Sequence, residues 1–291
     1  MGTVVSITII HDNIDYVRRL MDEAFSEFKR IESIMSIYDD NSEVSRLNKQ
    51  GFLESASKEL ISVLREAIRI SKITRGAYDV SILPLLEYVD KKSDYLDEEE
   101  LSSILDLVDY SSIEIRGENI KFLKKGMKIV LNSIAKGYAV DLVSEYLVKQ
   151  RVNHALINAG GDIRAIGGRT DKESWRIAIR NPFEKDKSIS RLKIFNCSIA
   201  SSGGYERRIG KGIFPHILNP RLKKLSSSQV VSATIITNKA LVADALATGL
   251  CAMDPAEGIQ LIEDLGEGEA MIITDEKEIL KTKNFQVYED D

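Results

Sequence analysis

The sequence predicts an α+β fold in which long helices pack on mainly antiparallel sheets. Apolar residues recur at helical spacing in several long segments, and the second half holds short β-branched or alternating runs. Helices and strands follow one another irregularly, without the strict alternation of a parallel βαβ fold. Because no linker or low-complexity segment interrupts the 291 residues, we expect a single domain over residues 1–291.

The first half is predicted to be mainly helical. Its helix at 13–35 repeats apolar residues every three or four positions, so one face should be buried. Ser57 is a suitable N-cap for a second helix, and Gly76 is a suitable stop signal. The predicted elements, in order, are a strand at 1–10, a helix at 13–35, a turn at 37–42, a helix from Ser57 to Gly76, a short acidic helix at 97–107, a hairpin of 113–120 with 127–131, and a helix at 133–149.

The second half is predicted to be richer in strands. Paired glycines, Gly160 and Gly161, interrupt one strand and indicate a tight turn. The predicted elements are strands at 154–158, 175–179, 192–197 and 229–237, a helix around Asp244, a helix after Pro255, and closing strands at 270–274 and 285–288.

Composition excludes several classes of protein. The formal net charge of −5 gives no reason to expect a nucleic-acid partner or an acidic membrane surface. Cys197 and Cys251 lack metal-type spacing, so we expect buried thiols. No run is apolar enough to predict a transmembrane segment, and the first residues lack signal-peptide features. The chain as given is therefore expected to be cytoplasmic, unless an upstream export segment was removed.

The segment 240–249 combines small apolar residues with one carboxylate and one hydroxyl. Asp244 and Thr248 are four residues apart, so they should project from the same helix face. Carboxylate and hydroxyl oxygens suit a hard cation such as Mg²⁺, and small neighbours would admit a phosphate. The alternative is a core Asp that bonds to nearby backbone or to an Arg.

Two further segments suggest an anion or ligand site. Lys136 lies near the start of a predicted helix, where free N–H groups and the helix dipole favour a phosphate. The alternative is a solvated surface Lys. The Asn158–Asp162 turn is equally compatible with a purely structural role and with ligand contact.

Two other side chains could take part in catalysis or binding, and each also has a simpler structural interpretation. His216 lies in a loop between Pro215 and Pro220 and could accept a proton near neutral pH, or could simply pack. Tyr78, beside a glycine turn, could stack on a planar ring or cap the core.

Taken in order along essentially the whole chain, these segments resemble the ApbE-like FAD:protein FMN transferase family. The segments at 158–162 and 243–248 are the most specific parts of the resemblance. The full series comprises residues 1–3, 35–38, 42–48, 76–79, 134–141, 158–162, 202–207, 216–221 and 243–248.

The resemblance implies a two-lobed, T-fold-related architecture with FAD in the cleft. It also implies a Mg²⁺-dependent reaction that moves FMN from FAD to a Thr or Ser of a target protein, often a redox-pump flavoprotein subunit, with release of AMP. By position, it implies metal ligands at Asp244, Thr248 and the backbone carbonyl of Ser133, FAD contacts at Met1, Tyr38, Ala77, Tyr78, Asp79, Lys136 and Leu218, and catalytic roles for Asp244 and for His216 as proton acceptor.

The chain departs from the family pattern at three positions. Val130, Gly204 and Asn219 stand where many members carry Asp, which should affect FAD affinity and orientation more than the metal pair. Two alternative functions therefore remain: a Mg²⁺-dependent FAD pyrophosphatase that yields FMN and AMP, and an FAD-binding protein without catalysis.

Overall fold

The computed structural model describes residues 2–92, 97–184, 186–204, 208–209, 214–215 and 229–290. Within these ranges the chain is a mixture of helices and mainly antiparallel strands, which confirms the predicted α+β class. The helices are α1 (Ile14–Met35), α2 (Glu43–Gln50), α3 (Lys58–Ile73), α4 (Leu83–Lys91), α5 (Glu98–Leu105), α6 (Ala135–Lys149), α7 (Ala240–Leu250) and α8 (Pro255–Leu265). In this part of the chain, none of them is long and apolar enough to cross a membrane.

The strands form one large sheet and three small ones within the described ranges. The strands are β1 (Val5–Ile9), β2 (Phe52–Leu53), β3 (Ile113–Arg116), β4 (Asn119–Phe122), β5 (Ala155–Ala159), β6 (Asp162–Ile166), β7 (Trp175–Arg180), β8 (Ser188–Ile194), β9 (Ser198–Gly203), β10 (Arg208–Ile209), β11 (Phe214–Pro215), β12 (Val230–Thr237), β13 (Gly268–Thr274) and β14 (Ile279–Lys281). The large sheet has the order β1-β5-β6-β9-β12-β13-β14, and all of its neighbours are antiparallel.

Alternate residues of the large sheet enter two different cores. Ile235 and Ile272 face the core that α1, α3, α6 and α7 cover. Ile236 and Ile273 face the opposite core, which the β7–β8 hairpin closes with Trp175. Because the side-chain period of a strand is two, burial of both faces explains the nearly continuous apolar run in β12.

The predicted helices form where their end signals place them. The Ser57 side chain accepts a hydrogen bond from the N–H of Leu60 at the start of α3. Gly76 adopts a φ of +81° just past the end of that helix. The helix predicted at 133–149 begins two residues later, at Ala135. Local capping chemistry thus sets the boundaries of α3, whereas α6 begins without a side-chain cap.

Two predicted strands are wrong. Residues 127–131 form no strand, because β4 pairs with β2 and β3 instead, and the Asn48 amide bonds both the N–H and the carbonyl of Ile129 at 2.7 and 2.9 Å. Residues Phe285–Tyr288 form a 3₁₀ turn whose Phe285 is fully buried.

Several elements were not anticipated, among them α2, α4 and β9. The turn predicted at 37–42 leads directly into α2, which Ser42 caps and Gly51 ends. Helix α4 follows the segment around Tyr78. The polar residues Ser201 and Ser202 belong to β9, a strand that the sequence analysis does not predict.

Candidate functional site

The site is organised by a close contact between helices α6 and α7. A Cβ on Gly137 would lie only 2.3 Å from the carbonyl oxygen of Ala240, so only glycine permits this approach. The carboxylate of Asp141, one turn further along α6, accepts hydrogen bonds from the N–H groups of Ala240 and Leu241 at 2.8 and 3.0 Å. Helix α6 therefore caps the N-terminus of α7 and fixes its position.

Helix α7 is buried on every side except at Thr248. Its carboxylate, Asp244, consequently lies in the interior and is 2% exposed. The N–H of Gly137 donates to Asp244 Oδ2 at 3.3 Å, and the ammonium of Lys136 lies 3.3 and 3.2 Å from the two carboxylate oxygens. The alternative interpretation of Asp244 was a core Asp bonded to nearby backbone or to an Arg. The structure shows a backbone partner, Gly137, but the charged partner is Lys136 and not an Arg.

A second carboxylate reaches the same ammonium from the β5–β6 hairpin. Gly160 and Gly161 have φ values of +67° and +102°, so the hairpin turns tightly and confirms the predicted turn. Asp162 is the first residue of β6 and is 2% exposed. Its Oδ2 lies 3.1 Å from Lys136 Nζ. The hairpin thus brings a buried carboxylate to the start of α6.

We call the Lys136, Asp162 and Asp244 side chains the ammonium–carboxylate cluster. Besides one oxygen of Asp162 and two of Asp244, the Lys136 ammonium contacts a fourth oxygen, the carbonyl oxygen of Asn132 at 2.8 Å. Among the described residues, Asp162 Oδ2 accepts no hydrogen bond, although it lies within ion-pair distance of Nζ. Lys136 is therefore not a solvated surface lysine, and one carboxylate oxygen is incompletely satisfied.

The electrostatics of the cluster follow from burial and from mutual contact. Burial raises the pKa of Asp162 well above its usual value, and nearby Asp244 raises it further, whereas Lys136 acts in the opposite direction. Burial alone would lower the pKa of Lys136, but Asp244 and Asp162 outweigh it and raise that pKa. The ammonium thus stays charged, whereas burial and the neighbouring Asp244 disfavour the charged form of Asp162.

Thr248 lies one turn beyond Asp244 and keeps part of its surface exposed. Its hydroxyl donates to the carbonyl oxygen of Asp244 at 3.1 Å and lies 3.1 Å from the hydroxyl of Ser202. Cys251 donates to the carbonyl oxygen of Ser202 at 3.3 Å, so strand β9 is held against this face of α7.

The residues that precede α4 also lie close to this region. Tyr78 is buried, and its hydroxyl lies 3.4 Å from Ser133 Oγ. Burial raises the pKa of the Tyr78 phenol well above its usual value, which keeps the phenol neutral. Ala77 is also buried. Tyr78 therefore caps the core beside Ser133, in agreement with the plainer sequence interpretation.

The carboxylate of Asp79 accepts hydrogen bonds from groups within the protein. Its Oδ1 accepts hydrogen bonds from the N–H and hydroxyl of Ser81 at 2.8 and 2.7 Å, and its Oδ2 accepts from the N–H of Tyr110 at 3.0 Å. By contrast, Tyr38 is 83% exposed, in the turn after α1. Contact of these residues with FAD remains a prediction.

The described residues do not include every position that the sequence analysis singles out. Met1, His216 and Leu218 lie outside the described residues. Of the positions where an Asp is absent, Val130 is buried and donates its N–H to the carbonyl of Val80 at 2.8 Å. Gly204 directly follows β9, and Asn219 lies outside the described residues.

Sequence reasoning did not assign a role to Asp162. The signal was present, because Asp162 ends the glycine turn at 158–162 that we considered among the most specific segments. An acidic residue directly after two positive-φ glycines can be buried by the hairpin itself, but its partners depend on the packing of α6 and α7. The distance to Lys136 is therefore a tertiary result.

The donor set is compatible with a hard cation. In the described part of the chain, no three His, Cys, Asp or Glu residues converge on a metal position. The cluster instead offers two carboxylates, with the Thr248 hydroxyl one turn along α7 from Asp244. Oxygen donors with few protein ligands suit Mg²⁺, which usually keeps several waters or phosphate oxygens. The incompletely satisfied Asp162 Oδ2 points to the same kind of partner.

Comparison with known proteins places this geometry in a family. The ApbE family model matches residues 1–273. A relative from Vibrio cholerae named FAD:protein FMN transferase is 30% identical over 274 residues, which span 90% of this chain and 82% of the relative. A second relative of that name, from Haemophilus influenzae, is 28% identical over 282 residues, which span 90% of this chain and 81% of the relative.

Solved structures agree with these matches. The ApbE protein from Thermotoga maritima shares the fold with a TM-score of 0.89 and 27% identity, covering 100% of this chain and 97% of that one. The flavin transferase ApbE from Vibrio cholerae gives a TM-score of 0.85 and 27% identity, covering 99% of this chain and 96% of that one. Since the family model spans nearly the whole chain and the fold agrees throughout, this chain belongs to the ApbE family.

Proposed function

We propose that this protein is a Mg²⁺-dependent FAD:protein FMN transferase. It would move FMN from FAD to a Thr or Ser hydroxyl of a target protein and release AMP. The observation that carries the proposal is the buried ammonium–carboxylate cluster at the start of α6, in a chain whose relatives are named FAD:protein FMN transferases. Phosphoryl-type transfer depends mainly on positioning and charge stabilisation, which such a cluster can supply.

The metal would be held at the face of α7 that carries Asp244. The Asp244 carboxylate, the Thr248 hydroxyl and the backbone carbonyl of Ser133 are the proposed ligands. When bound, Mg²⁺ would neutralise charge on the pyrophosphate oxygens and leave coordination positions for them. Support comes from the burial of Asp244 and from the α6–α7 contact that keeps α7 beside residues 132–137.

FAD would lie against the start of α6. Lys136 and the N-terminus of this helix are proposed to bind a phosphate, because free N–H groups and the positive end of the helix dipole favour anions. The segment 77–79 could contribute through its backbone, since the carboxylate of Asp79 is already used by Ser81 and Tyr110. Met1, Tyr38 and Leu218 complete the proposed FAD contacts on the basis of their sequence positions alone.

His216 is proposed to accept the proton of the attacking Thr or Ser hydroxyl. A neutral imidazole is suited to this step near neutral pH. Support comes from its place in the sequence, between the two proline-restricted turns. The protein partner is the substrate that carries the acceptor hydroxyl.

The proposal is tested by incubating the protein with FAD, Mg²⁺ and an acceptor protein that carries the candidate Thr. We expect acid-stable flavin fluorescence on the acceptor together with an equal amount of AMP, and loss of both with EDTA. The matched control is the same acceptor with Ala at that Thr. AMP and free FMN without labelled acceptor would instead indicate an FAD pyrophosphatase, and intact bound FAD would indicate a flavin-binding protein without catalysis.

A further inference from the structure

The ammonium–carboxylate cluster has more acceptors than donors. Lys136 Nζ lies near four oxygen atoms: Asn132 O at 2.8 Å, Asp162 Oδ2 at 3.1 Å, and Asp244 Oδ2 and Oδ1 at 3.2 and 3.3 Å. An ammonium carries three N–H donors, so two of these four oxygens must share one donor. Among the described residues, Asp162 Oδ2 is the oxygen of this group left without a hydrogen bond, although it lies within ion-pair distance of Nζ. The oxygens of the cluster therefore have fewer hydrogen-bond donors around them than they can use.

The charge of the cluster shows the same shortage. Two carboxylates that are each 2% exposed share one ammonium. Buried carboxylates require a cation or several hydrogen bonds, because removal from water is costly for an ion. The Asp244 carboxylate also accepts a hydrogen bond from the Gly137 N–H, whereas no described residue donates one to Asp162 Oδ2. A divalent cation would supply the missing charge and can contact both carboxylates together.

We propose that Asp162 and Asp244 form one two-carboxylate cation site, and that the Lys136 ammonium occupies this site as an internal counter-ion that a divalent metal displaces. The inference rests on the proposed metal-dependent function of the same region and adds Asp162 to its ligands. In the metal-free protein, Lys136 holds the two carboxylates together. Metal binding releases the ammonium from them and frees it for an anionic group such as a phosphate.

The geometry permits this exchange. Lys136 is on the first turn of α6, and its side chain keeps 23% of its surface exposed, whereas each Asp side chain keeps 3%. A lysine side chain is a flexible chain of four carbons, so its ammonium can leave the cluster without movement of the helix. Asp162 and Asp244 are held by a tight hairpin and by the capped helix α7, and they remain in place.

The test measures Mn²⁺ binding without nucleotide, by titration followed with electron paramagnetic resonance. In Lys136→Met the competing ammonium is gone, so we expect Mn²⁺ to bind at least about tenfold more tightly than in wild type. In Asp162→Asn we expect binding at least about tenfold weaker than in wild type, and in the double variant we expect the gain to disappear. Lys128→Met is the matched control, since Lys128 pairs with Glu87 outside the cluster, and it should leave Mn²⁺ affinity unchanged.

Mn²⁺ affinity in Lys136→Met that equals or falls below that of wild type would overturn the inference. If Lys136→Met does not fold, Asp162→Asn decides the question, because unchanged Mn²⁺ binding there excludes Asp162 as a ligand. A thermal-unfolding series provides a second readout: Mn²⁺ should raise the melting temperature of Lys136→Met more than that of wild type. FMN transfer is scored separately, so absence of transfer with the expected Mn²⁺ pattern contradicts only the proposed function.

Discussion

Two groups of buried or half-buried aspartates in this molecule contrast sharply in how their oxygens are satisfied. In the first group, which we call the turn cluster, Asp79 accepts three hydrogen bonds from Ser81 and Tyr110. Asp109 accepts from Ser111, from Ser112 and from the ammonium of Lys124 at 2.8 Å. In the ammonium–carboxylate cluster, by contrast, Asp162 Oδ2 has no hydrogen bond among the described residues.

The contrast separates a structural use of carboxylates from a candidate functional one. The turn cluster joins two short 3₁₀ turns, residues Val80–Ile82 and Tyr110–Ser112, through donors close to it in the fold. The other cluster collects charge from three distant segments and leaves it incompletely compensated. Strong perturbation of a buried charge in this way is typical of binding and catalytic sites. The following predictions test whether the two clusters really differ in function.

The largest effect is expected from Asp244→Asn. The substitution keeps the side-chain shape but removes the negative charge that the proposed metal requires, so FMN transfer should fall by about 10²–10³-fold. The measurement is the rate of acceptor flavinylation at saturating FAD. Asp109→Asn, in the turn cluster, is the comparison variant and should retain most of the activity. Similar activity losses in both variants would remove the distinction between the clusters.

A smaller but still clear effect is expected from Gly137→Ala. The new methyl group would meet the backbone of Ala240 at 2.3 Å, so α6 and α7 must separate and Lys136 must shift relative to Asp244. Overpacking of this kind costs about 1–3 kcal/mol of unfolding free energy. Chemical denaturation and transfer rate should both report the change.

Gly258→Ala in α8 is the matched control for that substitution. Its methyl group would meet only flexible side-chain ends, Ile272 Cδ1 and Leu250 Cδ2, both at 3.1 Å. We expect a smaller stability loss and unchanged transfer. If Gly258→Ala reduced transfer as much as Gly137→Ala, the contact between α6 and α7 would not be the cause.

Asp109→Ala should affect stability and not chemistry. Asp109 is the N-cap of the Tyr110–Ser112 turn and accepts from Ser111 and Ser112. Loss of an N-cap costs about 1 kcal/mol, so thermal unfolding should shift by about 2–4 °C. Flavinylation measured well below the melting temperature should match wild type. A large loss of transfer with an unchanged melting temperature would contradict the structural assignment.

The smallest effect concerns the loss of folding stability at low pH. Burial alone would raise the pKa of Asp109, but hydrogen bonds from Lys124, Ser111 and Ser112 hold that pKa well below its usual range. The folded-state pKa is lower than the unfolded value of about 3.9, so the contribution is present above pH 4 or so and is lost as the pH falls further. Wild type and Asp109→Asn should therefore differ in urea stability at pH 7 and converge in acid.

Local patterns predicted much of this fold. The apolar spacing of the first helix and the end signals of the second correctly predict α1 and α3, because the residues that carry these signals lie within or next to each helix. The same local reasoning failed at 127–131, because Asn48, 81 positions away from Ile129, provides the backbone partners there. It also failed at residues Phe285–Tyr288, which form a 3₁₀ turn and not a strand. The Phe285 ring of this turn is buried in the core that also contains Trp175.

What the sequence alone determined about the site is the local part. The four-residue spacing of Asp244 and Thr248 puts them one helical turn apart, and the glycine pair before Asp162 sets a tight hairpin. Only the tertiary structure decided that Lys136 lies between Asp244 and Asp162, and that three N–H donors face four oxygens. The physical reason is that helical and strand periods fix which side chains share a face, whereas packing at Gly137 and capping by Asp141 decide which faces meet.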